Sequence, residues 1–299
     1  MTVSLRVLIT GCSSGFGGLI ARRLAREGHQ VVATLRDPHG RGAVAREALL
    51  AWAAAEGCAL TVAGLDVTVE AEAEAVVAEM VARLGGIDVV IHNAGVAAAG
   101  LNETFSAGAM QRMFDVNVFG VQRVNRAVLP VMRGQGAGHV VYMGSVLGRE
   151  VTPFLGLYAA TKHALEAMAE SYRYDLSLLG IDSTVVQPGT FPTTAILRNL
   201  VSADDPARAA GYGPVAAMPG AFFGGLQAMV ESGAAPDPAA VAEAVLTVIS
   251  APAGQRAARF VVDPSGFDGA ARVNATSDRV QSEMLARFGL SALLGATTA

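Results

Sequence analysis

Thr10-Gly11-Cys12-Ser13-Ser14-Gly15-Phe16-Gly17 follows a short apolar run and leads into a segment of helical period. That order, strand then glycine-rich turn then helix, decides the fold. Glycines at such a turn let the backbone bend sharply and approach a pyrophosphate, whose charge is held by helix N-terminal N–H groups and the helix dipole. The spacing is G-x-x-x-G-x-G rather than G-x-G-x-x-G, so taken alone the turn serves equally well as a structural corner.

Outward from this turn the pattern repeats. Short β-branched runs at 5–10, 30–35, 60–67, 87–93, 139–145, 182–187 and 259–263 alternate with helix-period segments near 15–27, 41–56, 69–84, 106–133 and 158–179. The fourth of these segments is expected to break near Asn117, and Gly180 ends the fifth. Asp237 and Pro238 read as the N-cap and first position of a further helix to about Ser250. The alternation predicts an α/β fold, a Rossmann-type doubly wound parallel sheet of about seven strands with helices on both faces. The exception is 190–236, where short apolar pieces are interrupted by glycines and prolines. A stretch of that length is usually functional, and it is expected to form a substrate lid. With no composition shift to mark a linker, residues 1–299 are expected to form a single domain, with 264–299 as a C-terminal tail.

Composition narrows the function. Apolar residues make up 52% and charged residues 16%, which excludes a disordered chain, and a net charge of −4 without like-charge runs leaves no footprint for nucleic acid. Cys12 and Cys58 share no C-x-x-C spacing, and no metal set is apparent. The stretch 244–251 is far short of the ~20 residues that span a bilayer, and the apolar residues 7–10 are strand-length rather than a leader. The expectation is a cytoplasmic protein acting on a small molecule, with no membrane span and no metal.

The end of the second strand bears on which dinucleotide fits. In Thr34-Leu35-Arg36-Asp37, Leu35 stands where an acid would bind the ribose hydroxyls, and Arg36 suits a 2′-phosphate. NADP(H) is favoured over NAD(H). The competing reading makes Asp37 the ribose ligand. Farther along, Tyr158 and Lys162 lie four apart on a helix, so they share one face. A nearby ammonium favours a phenolate, and Ser145, at the end of the preceding strand, lies where ligands bind in such sheets. Either feature alone is commonplace: the pair as an amphipathic contact, the serine as a helix cap.

Together the set Thr10-Gly11-x-x-x-Gly15-x-Gly17, Asn93-Ala94-Gly95, Asn117, Ser145, Tyr158-x-x-x-Lys162 and Pro188-Gly189 resembles the tetrad-bearing branch of the short-chain dehydrogenase/reductases, in order and spacing, to about residue 263. The resemblance implies NADP(H)-dependent interconversion of a ketone or aldehyde and an alcohol. Tyr158 would be the acid/base, Ser145 would orient the substrate oxygen, and Lys162 would bind the nicotinamide ribose and lower the Tyr158 pKa. Asn117 would hold a water in a proton relay. On the cofactor side it implies Gly11, Ser13, Ser14, Gly15, Phe16, Gly17 and Arg36 around the phosphates, Asp66 and Val67 at the adenine, and Asn93, Ala94 and Gly95 beside its ribose. Pro188, Gly189, Phe191 and Thr193 would lie near the carboxamide.

Within the family, 10–15 and 33–37 look most like NADP-using hydroxysteroid and retinol dehydrogenases, the family resemblance implies a homodimer or homotetramer, and the apolar composition of the lid points to an apolar carbonyl or alcohol substrate. Ser145, Leu147, Phe154, Phe191, Phe222 and Phe223 are the candidate substrate contacts, and Ile196, Leu197, Leu200, Met218, Leu226 and Met229 add apolar surface to the lid. Gly211, Gly213, Gly220, Gly224 and Gly225 are its candidate hinges. His92 departs from the family pattern, in which Asn usually precedes Asn93, and reads as a hydrogen-bonded strand-end residue. Two other classes stay open: a nucleotide-dependent epimerase or dehydratase, and a non-catalytic NADP-sensing module.

Overall fold

Successive strand residues point to opposite sides of a sheet, so apolar residues at both alternations require cover on both sides. The computed structural model describes residues 3–194 and 199–297 and shows that cover. The strands are β1 (Arg6–Ile9), β2 (Gln30–Leu35), β3 (Leu60–Gly64), β4 (Val89–His92), β5 (Gly138–Met143), β6 (Ile181–Pro188) and β7 (Arg259–Val262), all parallel, in the order β3-β2-β1-β4-β5-β6-β7. The helices are α1 (Gly15–Arg26), α2 (Ala43–Glu56), α3 (Glu70–Leu84), α4 (Ala107–Phe114), α5 (Gly120–Gln135), α6 (Gly156–Ser177), α7 (Met218–Glu231), α8 (Ala239–Ser250) and α9 (Gly269–Arg287).

Val7, Ile9, Val31 and Ile91 pack with Ile20 and Leu24 of α1, Leu49 of α2 and Val245 of α8 on one face. Leu8, Val32, Val90 and Tyr142 pack with Met80 of α3, Val124 and Val128 of α5 and Leu165 of α6 on the other. Each such side chain, fully removed from water, contributes about 1.5–3 kcal/mol. The two layers therefore hold the strand ends, and the loops leaving them, in fixed places. β1 pairs with β2 on one side and β4 on the other, in register Val7↔Val31 and Val7↔Val89. The strand order reverses there, and the crevice at that point lies beyond the carboxyl ends of the strands.

Two helices were not expected from sequence. α7 forms despite Gly220, Gly224 and Gly225, so those three are helical residues rather than hinges; the chain breaks instead at Gly213, with φ 53° inside the 3-10 segment Pro206–Ala217. No residue of α7 is buried. α9 turns much of the expected tail into a helix, and it buries only Gly269, Ala270, Asn274 and Leu285, too few for an apolar period to show. Ile196 and Leu197 lie outside the described residues. Among the described residues no helix is long and apolar enough to cross a membrane.

Candidate active site

The glycine turn is locked to the loop after β4 by polar contacts. The Thr10 hydroxyl oxygen accepts from the N–H groups of Asn93 and Ala94, both at 3.0 Å, and Asn93 Nδ2 donates to the carbonyls of Thr10 (3.0 Å) and Gly11 (2.9 Å). Gly11 has φ 72°, and a Cβ there would stand 2.7 Å from Ala94 Cα, so the position accepts only glycine. α1 starts at Gly15 with no acid in its first turn and no side-chain cap from Ser14. A cavity of about 310 Å3 beside it is lined by Ser13, Ser14, Gly15, Arg22, Thr193 and Thr194, among others. Unpaired helix N–H groups, a positive dipole end and open space at Gly15 fit the phosphates of a dinucleotide.

At the end of β2, Leu35 is buried in the core, so a carboxylate at that position would be desolvated rather than turned to a ribose. Arg36 is exposed. Asp37 is occupied within its own turn: Oδ1 accepts from Gly40 N and Oδ2 from Arg41 N, each at 2.9 Å. Asp66 Oδ1 accepts from the N–H and hydroxyl of Thr68 at 3.0 and 2.7 Å, and Val67 packs where a Cβ on Gly120 would fall.

Across the crevice stand the residues suited to chemistry. Asn117 lies in a π-helical turn, Asp115–Phe119, that separates α4 from α5. One extra residue per turn there aims its amide inward. Nδ2 donates to Val96 O (2.8 Å) and Thr161 Oγ1 (3.0 Å), while Oδ1 accepts from Val96 N (2.8 Å). On α6, Lys162 Nζ lies 5.6 Å from the Tyr158 ring centroid and donates to Met143 O at 2.6 Å. Ser145 caps a short 3-10 turn, its hydroxyl accepting from Leu147 N at 3.1 Å; the same oxygen lies 3.4 Å from Pro188 O, and it is hydrogen-bonded to Tyr158. It is thus both the helix cap and a member of the cluster.

Burial pushes the Tyr158 phenol above its ordinary range, and the Ser145 hydrogen bond works against that. Burial pulls the Lys162 ammonium down to about 8, with the Glu166 charge opposing it. The protein alone therefore keeps Tyr158 protonated, the form in which it donates. His92 is no base: it is buried, its Nε2 lies 2.7 Å from Asn125 Oδ1, and desolvation takes it to about 4.

Gly189 N–H donates to Val262 O at 2.9 Å, which fixes the chain as it leaves β6 after Pro188. The Phe191 side chain is buried edge-on against Phe16, with centroids 5.6 Å apart, so it belongs to the core and is not a substrate contact. Thr193 is exposed at the cavity rim. Phe154, Phe222 and Phe223 do come together, at 6.3 Å and 5.1 Å between successive rings, joining the loop before α6 to α7. Phe154 holds φ 68°, an uncommon conformation for a bulky residue.

Two signals went unread in the sequence. Lys162 is the single lysine among 22 Lys and Arg residues. Glu166 follows Lys162 by one more helical turn and is 1% exposed.

The family model for short chain dehydrogenase matches residues 6–205. Retinol dehydrogenase 8 of Bos taurus is 42% identical over 194 residues, covering 62% of this chain and 59% of that protein. Human 17-beta-hydroxysteroid dehydrogenase type 1 is 38% identical over 202 residues, covering 67% and 60%. The chain therefore spans about three fifths of the length of these two relatives. A crystal structure of a short-chain dehydrogenase from Streptomyces avermitilis superposes with a TM-score of 0.73 at 29% identity, over 97% of this chain and 98% of that one. With a match across two thirds of its length and this sheet order, the chain belongs to the short-chain dehydrogenase family of oxidoreductases.

Proposed function

We propose that the protein interconverts a ketone or aldehyde and an alcohol with NADP(H), on an apolar substrate. The observation that carries this reading is the convergence of Ser145, Tyr158, Lys162 and Asn117 at the carboxyl ends of β4 and β5, opposite the glycine turn. A nicotinamide dinucleotide held at this crevice would supply or accept the hydride. In reduction, Tyr158 donates its phenolic proton to the carbonyl oxygen, and the Ser145 hydroxyl holds that oxygen in place. Lys162, charged and fixed by Met143 O, favours the resulting phenolate. Asn117, bonded to Thr161 of the helix that carries Tyr158, would hold a water through which Tyr158 regains a proton.

NADP(H) is supported by an exposed Arg36 at the end of β2, and by the internal use of both Asp37 oxygens, which leaves that carboxylate ill-placed for a ribose. An apolar substrate is supported by the Phe154–Phe222–Phe223 group and by the half-exposed apolar side chains of α7, with the segment after Gly189 acting as a lid. A lid of this kind is tethered: Arg208 and Tyr212 bond to Glu103 at 3.0 and 2.9 Å, and Asp204 accepts from Ser106. The relatives' activities on retinol and hydroxysteroids make long apolar alcohols the first compounds to try. The test is a panel of apolar and polar ketones with NADPH and with NADH, followed by nicotinamide absorbance. Consumption of NADPH with apolar ketones supports the reading; no consumption with any pair refutes it.

A further inference from the structure

α6 carries Tyr158, Lys162 and Glu166 one turn apart, so the three side chains rise along one face. Glu166 is almost wholly buried, and every group on its carboxylate is a donor. The Ser145 N–H bonds to it, Gln187 Nε2 reaches Oε1 at 3.0 Å and Oε2 at 2.8 Å, and Arg149 Nε lies 2.9 Å from Oε2. Burial pushes the Glu166 carboxyl above its ordinary range, and the Gln187 amide, the Arg149 and Arg259 charges and the Ser145 N–H work against that. Gln187 presents its amide N–H because its own Oε1 accepts from Asn274 Nδ2 of α9 at 2.6 Å. Gly144 and Gly148 leave the room: a Cβ on Gly144 would come within 2.9 Å of Glu166 Oε1, and one on Gly148 would overlap that oxygen.

We propose that Glu166 is a positioning residue of this site, holding Ser145 through its backbone N–H and setting a fixed negative charge one turn beneath Lys162. Gln187 and Asn274 orient the carboxylate, which makes α9 part of the support of the reacting groups. The proposal rests on the oxidoreductase reading for what Ser145 and Lys162 do, and on geometry for the link between them. Burial lowers the Lys162 ammonium and Glu166 opposes that lowering. The other charges around Glu166 are Arg149 from the turn after β5, Glu170 from α6 and Arg259 from β7, the last pairing also with Asp278 of α9. When Glu166 is made neutral, Lys162 loses the charge that opposes its lowering by burial.

The single lysine makes this directly measurable. In protein labelled at lysine side-chain nitrogen or Cε, one NMR signal reports Lys162 across a pH titration without any turnover. The wild-type midpoint is expected near 8. Glu166→Gln should lower it by about one unit, the scale of a lost neighbouring charge, and the basic limb of the kcat profile should move down with it. Glu166→Asp keeps the charge but withdraws the carboxylate by one methylene from Ser145. Its Lys162 midpoint should stay within about 0.3 units while kcat falls about tenfold, on the scale of a misplaced reacting group.

An unmoved midpoint in Glu166→Gln overturns the proposal, as does a uniform loss of rate with no shift of the basic limb, which a merely structural role gives. Should Glu166→Gln fail to fold, Glu166→Asp decides alone: full kcat, or a fallen midpoint, overturns it. The two failures are separable. Absence of ketone turnover in wild-type protein overturns the oxidoreductase reading, whereas an unmoved Lys162 midpoint overturns the role of Glu166 with turnover intact.

Discussion

Gly17→Ala isolates the close approach on which the cofactor end is built. Gly17 lies in the first turn of α1, where alanine is the better helix former by roughly 0.5–1 kcal/mol. Sterics oppose that gain. A Cβ at Gly17 would overlap Asn93 Nδ2 and the carbonyl oxygen of Gly11, and would stand 3.0 Å from the Gly11 carbonyl carbon. One of those neighbours is backbone, so a side-chain rotation alone gives no relief. Displacing Asn93 breaks its bonds to Thr10 O and Gly11 O, a loss of about 1–3 kcal/mol for two buried-loop hydrogen bonds. Moving the loop adds about 1–3 kcal/mol of overpacking. Net of helix propensity, the variant should lose about 1–5 kcal/mol. At roughly 2 °C per kcal/mol for a chain of this size, Tm should fall by about 2–10 °C. Cofactor affinity should fall with it. Differential scanning calorimetry and fluorescence titration with NADPH read both quantities. Gly220→Ala is the control, because its Cβ meets nothing within 4 Å and helix propensity alone should act. If Gly17→Ala keeps the wild-type Tm and Kd, the loop is not held as described.

Arg36→Ala should weaken NADPH binding at least tenfold and leave NADH nearly unchanged, since only the former carries the 2′-phosphate; equal losses for both would refute the assignment. Stability should fall as pH drops from 6.5 to 4, because the unfolded chain protonates His92 first and the folded state resists until about 4. That interval corresponds to about 3 kcal/mol, so His92→Asn should flatten the acid side of a Tm profile, and an unchanged profile contradicts it. Amides of 199–231 should exchange fast in the free protein and slow when NADP and an apolar alcohol bind together; equal protection in both states rejects a lid.

The fold was legible because its strands and paired helices carry strong periods, and strand starts and ends differ from the sequence reading by only a few residues. The helix break at Asn117 was visible through the family pattern, and it is a π turn because five residues there make the wider winding. α9 was not legible: it is held by Asn274 on Gln187 and by Asp278 on Arg259, polar links that leave no apolar stripe. The same cause hid Glu166, whose buried partners come from β6 and the turn after β5, with α9 holding Gln187 in turn. Phe191 misled because aromatic residues after Pro188 suggest a pocket, whereas the ring packs inward on Phe16. Leu35 and Asp37 show the limit of strand-end arguments, since only the structure says which side chain is buried and which is engaged by its own turn.

The proposed reduction needs Tyr158 as the proton donor to a carbonyl reduced by NADPH. Tyr158→Phe removes one oxygen and, with it, the hydrogen bond to Ser145, while the glycine turn is untouched. Single-turnover reduction of an apolar ketone, read at the nicotinamide absorbance in wild-type and variant protein, should slow by at least about 10² while NADPH binding by fluorescence stays within twofold. Turnover within a few-fold of wild type would contradict it.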